Sequence, residues 1–256
     1  MPLDMIVGLS LPVLFLLFMT TEAAIGGGRK FAQVRFWRVL GAVGLVATLA
    51  VNAMLPPLLL PWLPDWRPID LSSIGLWGAA PVVAATTFLT YWTHRIEHRF
   101  DLLWRGMGHQ LHHSVQRVDI ASAVILHPID VAVQVVMTAI AAWAVGATPD
   151  AAALGGGAGF AIALVQHWNI RTPRWLGWFI QRPEAHCLHH EREVHDRNFG
   201  DLPVWDMIFG TYANPAHADG VAVGFAEGRG RRVAAMLLCR DVHRDRRAAG
   251  MAAGRM

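Results

Sequence analysis

Five stretches of apolar side chains, at 5–21, 39–60, 71–93, 129–145 and 152–168, set the terms for any fold of this chain. A helix that crosses a bilayer needs roughly 20 mostly apolar residues. The first three stretches meet that length or come close to it. The last two are shorter, and each reads as a tilted span or as one arm of a hairpin. Charged residues make up only 16% of the 256, against about 25% in a water-soluble domain, so the chain has too few charges to cover a soluble surface. Its 54% hydrophobic content excludes disorder. Cys187 and Cys239 are too few and too far apart for a disulfide scaffold. The first stretch lacks the basic leader of a signal peptide, since Asp4 is the only charge before it. The expected fold is an all-α integral membrane protein with four to five transmembrane helices.

The basic residues set the orientation. Arg29, Lys30, Arg35 and Arg38 follow the first stretch, Arg95, Arg99, Arg105 and Arg117 follow the third, and Arg171 with every later one follows the fifth. Of the 22 Lys and Arg, only Arg67 falls on the other side. The positive-inside rule then makes the crowded side cytoplasmic and the N-terminus external. A docking surface for an acidic partner is a second reading of the same charges. Pro12, Pro81 and Pro56-Pro57 lie within or beside spans, where neighbouring helices tolerate them. Gly155, Gly156, Gly157 and Gly159 read as close helix contact or as a flexible turn. In the Arg-rich tail from Gly228, Val233, Met236 and Leu237 could form the apolar face of a short interfacial helix, with disorder expected beyond about Arg247. The domains expected are 1–70 as N-terminal transmembrane helices, 71–215 as the catalytic part, and 216–256 as a basic cytoplasmic tail.

All histidines but His217 and His243 fall between 94 and 195, and most form three groups. His94 and His98 stand four apart. His109, His112 and His113 read H-Q-L-H-H, and His186, His189 and His190 read H-C-L-H-H. Residues three and four apart share a helix face, so the first histidine of each triplet is expected to converge with the later two. Adjacent histidines diverge by about 100°, so each pair can reach towards two different metals. Eight imidazoles arranged this way suit a two-metal site, and imidazole serves Fe, Zn, Cu and Ni. His167, level with these groups, is the ninth expected ligand. His127, just before Pro128, reads as a hydrogen-bonded structural residue. His195 falls outside the expected set, and His217 and His243 read as surface residues.

This order of histidine groups, followed by Asn198-Phe199-Gly200 and by Trp205-Asp206-Met207-Ile208-Phe209-Gly210-Thr211-Tyr212, resembles the fatty acid hydroxylase and sterol desaturase superfamily over roughly 75–215. The resemblance implies a cytoplasmic helical cap carrying a poly-histidine site for two iron ions. It implies O2 as co-substrate and hydroxylation, or second to it desaturation, of a lipid. The implied ligands are His94, His98, His109, His112, His113, His186, His189 and His190. His167 best matches the family's further histidine, although the H-x3-H pair starting there is broken by Arg171.

Glu97, Asp201 and Asp206 are candidates to orient the imidazoles. Trp92, Trp104, Trp168, Trp175 and Trp178 read as interfacial anchors or as lining for a lipid entrance. There is no cysteine set for an iron–sulfur cluster and no haem motif, and Gly26 to Gly28 lack the context of a dinucleotide fingerprint. Electrons are therefore expected from a separate ferredoxin- or cytochrome-like donor, with no nucleic-acid partner. A bacterial inner membrane is the expected setting. A zinc-dependent membrane hydrolase is the alternative, with Glu97 in H-R-I-E-H standing near its usual H-E-x-x-H base. Metal transport fits less well, because the histidines lie at span ends rather than mid-membrane. Nothing around Cys187 marks it as an activated nucleophile.

Overall fold

The computed structural model describes residues 1–226 and 228–243. Among them the regular structure is helical, with no strand. Helices α1 (Leu3–Ile25) and α2 (Trp37–Leu59) have 23 residues each, about 35 Å at 1.5 Å per residue, enough for a hydrocarbon core of about 30 Å. Leu9, Val13 and Leu16 of α1 and Val39, Val43 and Val46 of α2 stay exposed, so their natural solvent is lipid. A 3-10 stretch, Ser72–Gly78, runs into α3 (Ala79–Arg99). Pro81 sits in the first turn of α3, where its missing N–H has no intrahelical partner to lose. The three segments Leu3–Ile25, Trp37–Trp62 and Ser72–Arg99 are long and apolar enough to cross a membrane. The chain is an integral membrane protein.

Two short helices follow, α4 (Asp101–Gly106) and α5 (His109–His113). Helix α6 (Pro128–Ala144) starts with proline at its first position and is capped by His127, whose Nδ1 accepts from Ile129 N at 3.1 Å. Helix α7 (Pro149–His167) is capped by Thr148, whose Oγ1 accepts from Ala151 N at 3.2 Å. At 17 and 19 residues, α6 and α7 fall short of the length and apolarity of the other three. The chain closes with α8 (Pro183–His189), α9 (Pro203–Phe209) and α10 (Val233–Leu237).

Helix α3 packs between α6 and α7. Helix α2 lies against α6, and α1 against α7. A core of Phe15, Leu45, Ile120, Ala123, Val124 and Leu164 joins α1, α2, α7 and the turn after residue 119. All four glycines of α7 are helical rather than in a turn, and Gly155 and Gly157 serve close contact, whereas a Cβ on Gly159 would meet nothing within 4 Å. A methyl on Gly155 would lie 2.6 Å from Val82 Cγ1, and one on Gly157 2.8 Å from Val7 Cγ1. Gly44 of α2 is tighter still, because a Cβ there would collide with the Val124 carbonyl. Gly44→Ala is therefore expected to cost about 1–3 kcal/mol by overpacking. Gly8→Ala, in open space, should hold or raise stability. Thermal unfolding in detergent compares the two, and an unshifted midpoint for Gly44→Ala would contradict the packing.

The two ends of the bundle differ. At one, Ile69 N and Leu71 N donate to Ala144 O and Val145 O, and Trp143 Nε1 donates to Pro64 O. At the other, the end of α1 meets the end of α7 through Glu22, which accepts from Asn169 N at 2.6 Å. There too the start of α2 is tied to the loop after α5 by Trp37 Nε1 donating to Asp119 at 2.8 Å. Helices α4, α5 and α8 and all three histidine groups gather at this second end.

The tail departs from the sequence expectation. Met236 is fully buried against Leu111 of α5, Phe225 and Val242, while Val233 and Leu237 stay exposed, so α10 docks on the histidine-bearing end through Met236 instead of offering that side chain to a membrane. The expected disorder beyond Arg247 lies outside the described residues.

Candidate metal centre

The nine expected ligands come together in two groups. His94 and His98 on the last turns of α3, His109 and His113 of α5, and His189 of α8 form the first; their ligand nitrogens all lie within 4.8 Å of one another. His112 of α5, His167 at the end of α7, and His186 and His190 at α8 form the second, within the same limit. The nitrogens that face each other are Nε2 atoms. His94 and His98 are 3.2 Å apart, His113 and His189 3.1 Å, His112 and His167 3.3 Å, His167 and His186 3.1 Å, and His186 and His190 3.1 Å. Two imidazoles bound to one metal at about 2.0–2.1 Å have nitrogens roughly 3.0–3.4 Å apart.

The spacing argument holds for the adjacent pairs and fails for the triplets. His112 and His113 divide between the groups, as do His189 and His190. The first histidine of each triplet joins only its i+4 partner: His109 goes with His113, and His186 with His190. Positions i+3 and i+4 are themselves about 100° apart, so on short helices wedged between two centres they cannot both follow the first residue.

Four of the opposite ring nitrogens are held by acceptors, while Nδ1 of His98, His112, His113, His186 and His190 is buried without a hydrogen-bond partner. His94 Nδ1 donates to Phe199 O at 2.7 Å, His189 Nδ1 to Arg197 O at 2.9 Å, His167 Nδ1 to Ala163 O at 2.8 Å, and His109 Nδ1 to Asp130 Oδ2 at 2.9 Å. Carbonyl and carboxylate oxygens only accept, so each proton sits on Nδ1 and leaves the Nε2 lone pair turned inward. His109 Nε2 is buried without a hydrogen-bond partner of its own. Burial, followed by the neighbouring imidazoles, pushes His112, His113, His186 and His190 well below the usual histidine range. They are therefore neutral, the form that binds metal. His189 is lowered in the same way, by burial and then by His94. His109 is the exception: burial lowers it, but Asp130 and Glu97 outweigh burial and raise it. Converging Nε2 lone pairs, four of them on rings whose tautomer is fixed from outside, fit a pair of cations.

The carboxylates sort differently from expectation. Asp130 of α6, which the sequence did not single out, orients His109 and is itself held by Gln134 Nε2 at 3.0 Å. Glu97 lies 3.7 Å from the same His109 Nδ1. Asp201 touches no imidazole; it accepts from Gln166 at 2.8 Å and Thr90 at 3.2 Å, tying α3 to α7. Asp206 acts through the backbone, accepting from Phe199 N and Gly200 N at 2.8 Å and from Thr211 Oγ1 at 2.7 Å. Burial raises Asp206 to about 6 against the pull of these donors. The Asn-Phe-Gly segment turns at Asn198, with φ 56°. A Cβ on Gly200 would meet Asp206 Oδ2 at 2.8 Å. That turn aims the Phe199 carbonyl at His94.

Trp104 walls the first group, its ring 4.9 Å from His98 and 5.1 Å from His113. His195 stays outside both groups and stacks on His98 at 5.1 Å. His127 is structural, with Nε2 on Leu237 O at 3.2 Å. His217 is exposed, but His243 is not a free surface residue: it packs on Phe225 and meets Arg229 at 3.0 Å. Arg171, where the H-x3-H pair breaks, is exposed and pairs with Asp219 at 3.1 Å. Trp168 packs on Phe18 and Trp92 on Phe209, while Trp175 and Trp178 are exposed. Burial pushes the Cys187 thiol up to about 11, which leaves it inert as a nucleophile.

Ornithine lipid hydroxylase OlsE of Rhizobium tropici is 30% identical over 142 residues, which is 54% of this chain and 42% of that protein. Alkylglycerol monooxygenase of Xenopus tropicalis is 27% identical over 155 residues, 58% of this chain and 33% of that protein. The Homo sapiens alkylglycerol monooxygenase is 27% identical over 162 residues, with the same coverage. The matched region thus spans less than half the length of each relative. No solved structure matches the chain. The sequence profile described as fatty acid hydroxylase matches residues 79–211, which hold every residue of both histidine groups. The chain belongs to the fatty acid hydroxylase family.

Proposed function

We propose that this protein hydroxylates a C–H position of a lipid, using O2, two iron ions held by the nine grouped histidines, and electrons from a separate donor. The observation that carries this reading is the division of nine imidazoles, seven of them buried, into sets of five and four with their Nε2 atoms converging. The relatives support it, being a lipid hydroxylase and alkylglycerol monooxygenases by name. Bound iron would supply the O2 activation that an alkyl C–H bond requires and that no side chain provides.

The chain's own residues do the rest. His94, His98, His109, His113 and His189 would hold one ion, and His112, His167, His186 and His190 the other. Asp130 and the carbonyls of Phe199, Arg197 and Ala163 keep His109, His94, His189 and His167 in the binding tautomer. Trp104 and Phe199 shield the first group with apolar surface. The lipid would approach from the bilayer, with residues 71–215 as the catalytic part. The basic bias makes the histidine-bearing end cytoplasmic, where a donor with an acidic face would dock. Desaturation is the neighbouring outcome of the same chemistry. Hydrolysis by a single zinc is disfavoured, because Glu97 approaches His109 from the Nδ1 side, away from the converging nitrogens where a base would work.

The test is metal content of untagged protein from iron-supplemented cells, purified in detergent. Near two irons per chain is the expected result. One zinc and no iron, reproducibly, would favour the hydrolase, and a folded protein without metal would overturn the reading.

A further inference from the structure

A cavity of about 490 Å³ lies at the histidine-bearing end, between the end of α1 and the start of α2. Four cations line it: Arg29, Lys30, Arg38 and Arg117. Its two acids are already engaged. Glu22 turns its oxygens to Asn169 N and Ile120 N, and Asp119 pairs with Arg117 at 2.7 Å. Lys30 and Arg38 are exposed and form no ion pair among the described residues. Arg29 is only 7% exposed, pinned by Ile170 O and Trp168 O, and its Nε is buried with no hydrogen-bond partner. Helix α2 begins here without any side-chain cap, so its first-turn amides add positive potential to the same space. Below the cavity, α1 and α2 present Leu17, Val39, Leu40 and Val43 outward.

A topological charge bias explains why basic residues lie on this side. It does not explain a cavity with a net surplus of cations, a buried guanidinium with a spare donor and an uncapped helix start. Phosphate answers the cation surplus and the open helix start, because the exposed Arg38 guanidinium and a helix N-terminus both suit its oxygens, and Arg29, held by backbone carbonyls, adds its charge from behind the cavity wall. Basic pockets between membrane helices hold lipid headgroups, and the aliphatic faces below offer a bed for acyl chains. We propose that this cavity binds the phosphate of an anionic phospholipid headgroup, with the lipid's chains along α1 and α2. The proposal is independent of the oxygenase reading and of metal content.

The protein as purified is heated in a neutral detergent with dioleoyl phosphatidylglycerol, dioleoyl phosphatidylcholine or inorganic phosphate. Phosphatidylglycerol is expected to raise the unfolding midpoint by several degrees, and phosphatidylcholine, whose phosphate is neutralised by choline, by much less. Inorganic phosphate should leave the midpoint unchanged. The double variant Lys30→Ala/Arg38→Ala should weaken phosphatidylglycerol binding by about 30-fold, the product of two surface cations. Equal shifts with the two lipids would overturn the proposal, as would an undiminished shift in the double variant. A full shift with inorganic phosphate would overturn the lipid source and leave a free-anion site. If the double variant does not fold, native mass spectrometry of the unaltered protein decides. Retention of phosphatidylglycerol under activation that strips phosphatidylcholine is expected, and equal loss would refute the site.

Discussion

His190→Ala is expected to lower bound iron from near two per chain to near one and to cut turnover by more than about 100-fold, since even the partners that orient a ligand are worth 10–100-fold. The substitution leaves three imidazoles, His112, His167 and His186, in the second group. It also removes the ring stacked on His113 at 4.3 Å, so the first group loses a wall. Helix content and membrane insertion should not change, because His190 lies just past the end of α8 and no apolar cluster rests on it. His127→Ala provides the contrast. It removes the cap of α6 and the contact to Leu237 O, which should cost about 1 kcal/mol and reduce yield while metal content holds. Iron analysis and turnover of the two purified variants separate the roles. Full activity and two irons in His190→Ala would refute the ligand assignment, and lost iron with unchanged yield in His127→Ala would show that residue to be misjudged.

The histidine groups were legible in the sequence because their spacing is local. Helical periodicity turns 94/98, 109/113 and 186/190 into converging pairs whatever the rest of the fold does. Adjacency at 112/113 and 189/190 likewise pointed to two centres. What spacing could not convey is which group each i+3 residue would join, since that depends on where the short helices α5 and α8 dock. The orienting acceptors were hidden for a different reason. Three of the four named here are backbone carbonyls, which every residue carries, and the fourth, Asp130, stands 21 residues from His109. Asp201 and Asp206 looked equivalent as acids beside a motif. Only the fold sends one to Gln166 and Thr90 and the other to the Phe199 turn. Long apolar runs likewise announced α1, α2 and α3. The burial of Met236 needed a partner, Leu111, from a different part of the chain.

The largest stability effect is expected far from any histidine ring, at Arg182 and Glu184. Arg182 is completely buried and its guanidinium is fully engaged. Nη2 lies 3.1 Å from Glu184 Oε2 and donates to Thr172 O at 2.7 Å. Nη1 donates to Asn214 Oδ1 at 2.6 Å and Pro215 O at 2.9 Å, and Nε donates to Thr172 Oγ1 at 3.0 Å. Glu184 in turn accepts from Thr172 N at 2.8 Å and Thr172 Oγ1 at 2.6 Å. This network joins the loop after α7, the first turn of α8 and the segment after α9, and α8 carries His186 and His189 with His190 at its end. Glu184→Ala strands a buried guanidinium and should cost about 3–5 kcal/mol, a large part of a typical stability of about 5–15 kcal/mol. Because α8 supplies ligands to both groups, the loss should appear as metal release before global unfolding. Replacing both partners, Arg182→Met with Glu184→Leu, removes the stranded charge along with its partner and should be less destabilising than Glu184→Ala alone. Unfolding midpoints and retained metal of the unaltered protein, the Glu184→Ala and Arg182→Met single variants and the double variant decide the matter. If the double variant falls as far below Glu184→Ala as simple addition demands, the burden lies in the lost hydrogen bonds to Thr172 and Asn214 and not in an unpaired charge.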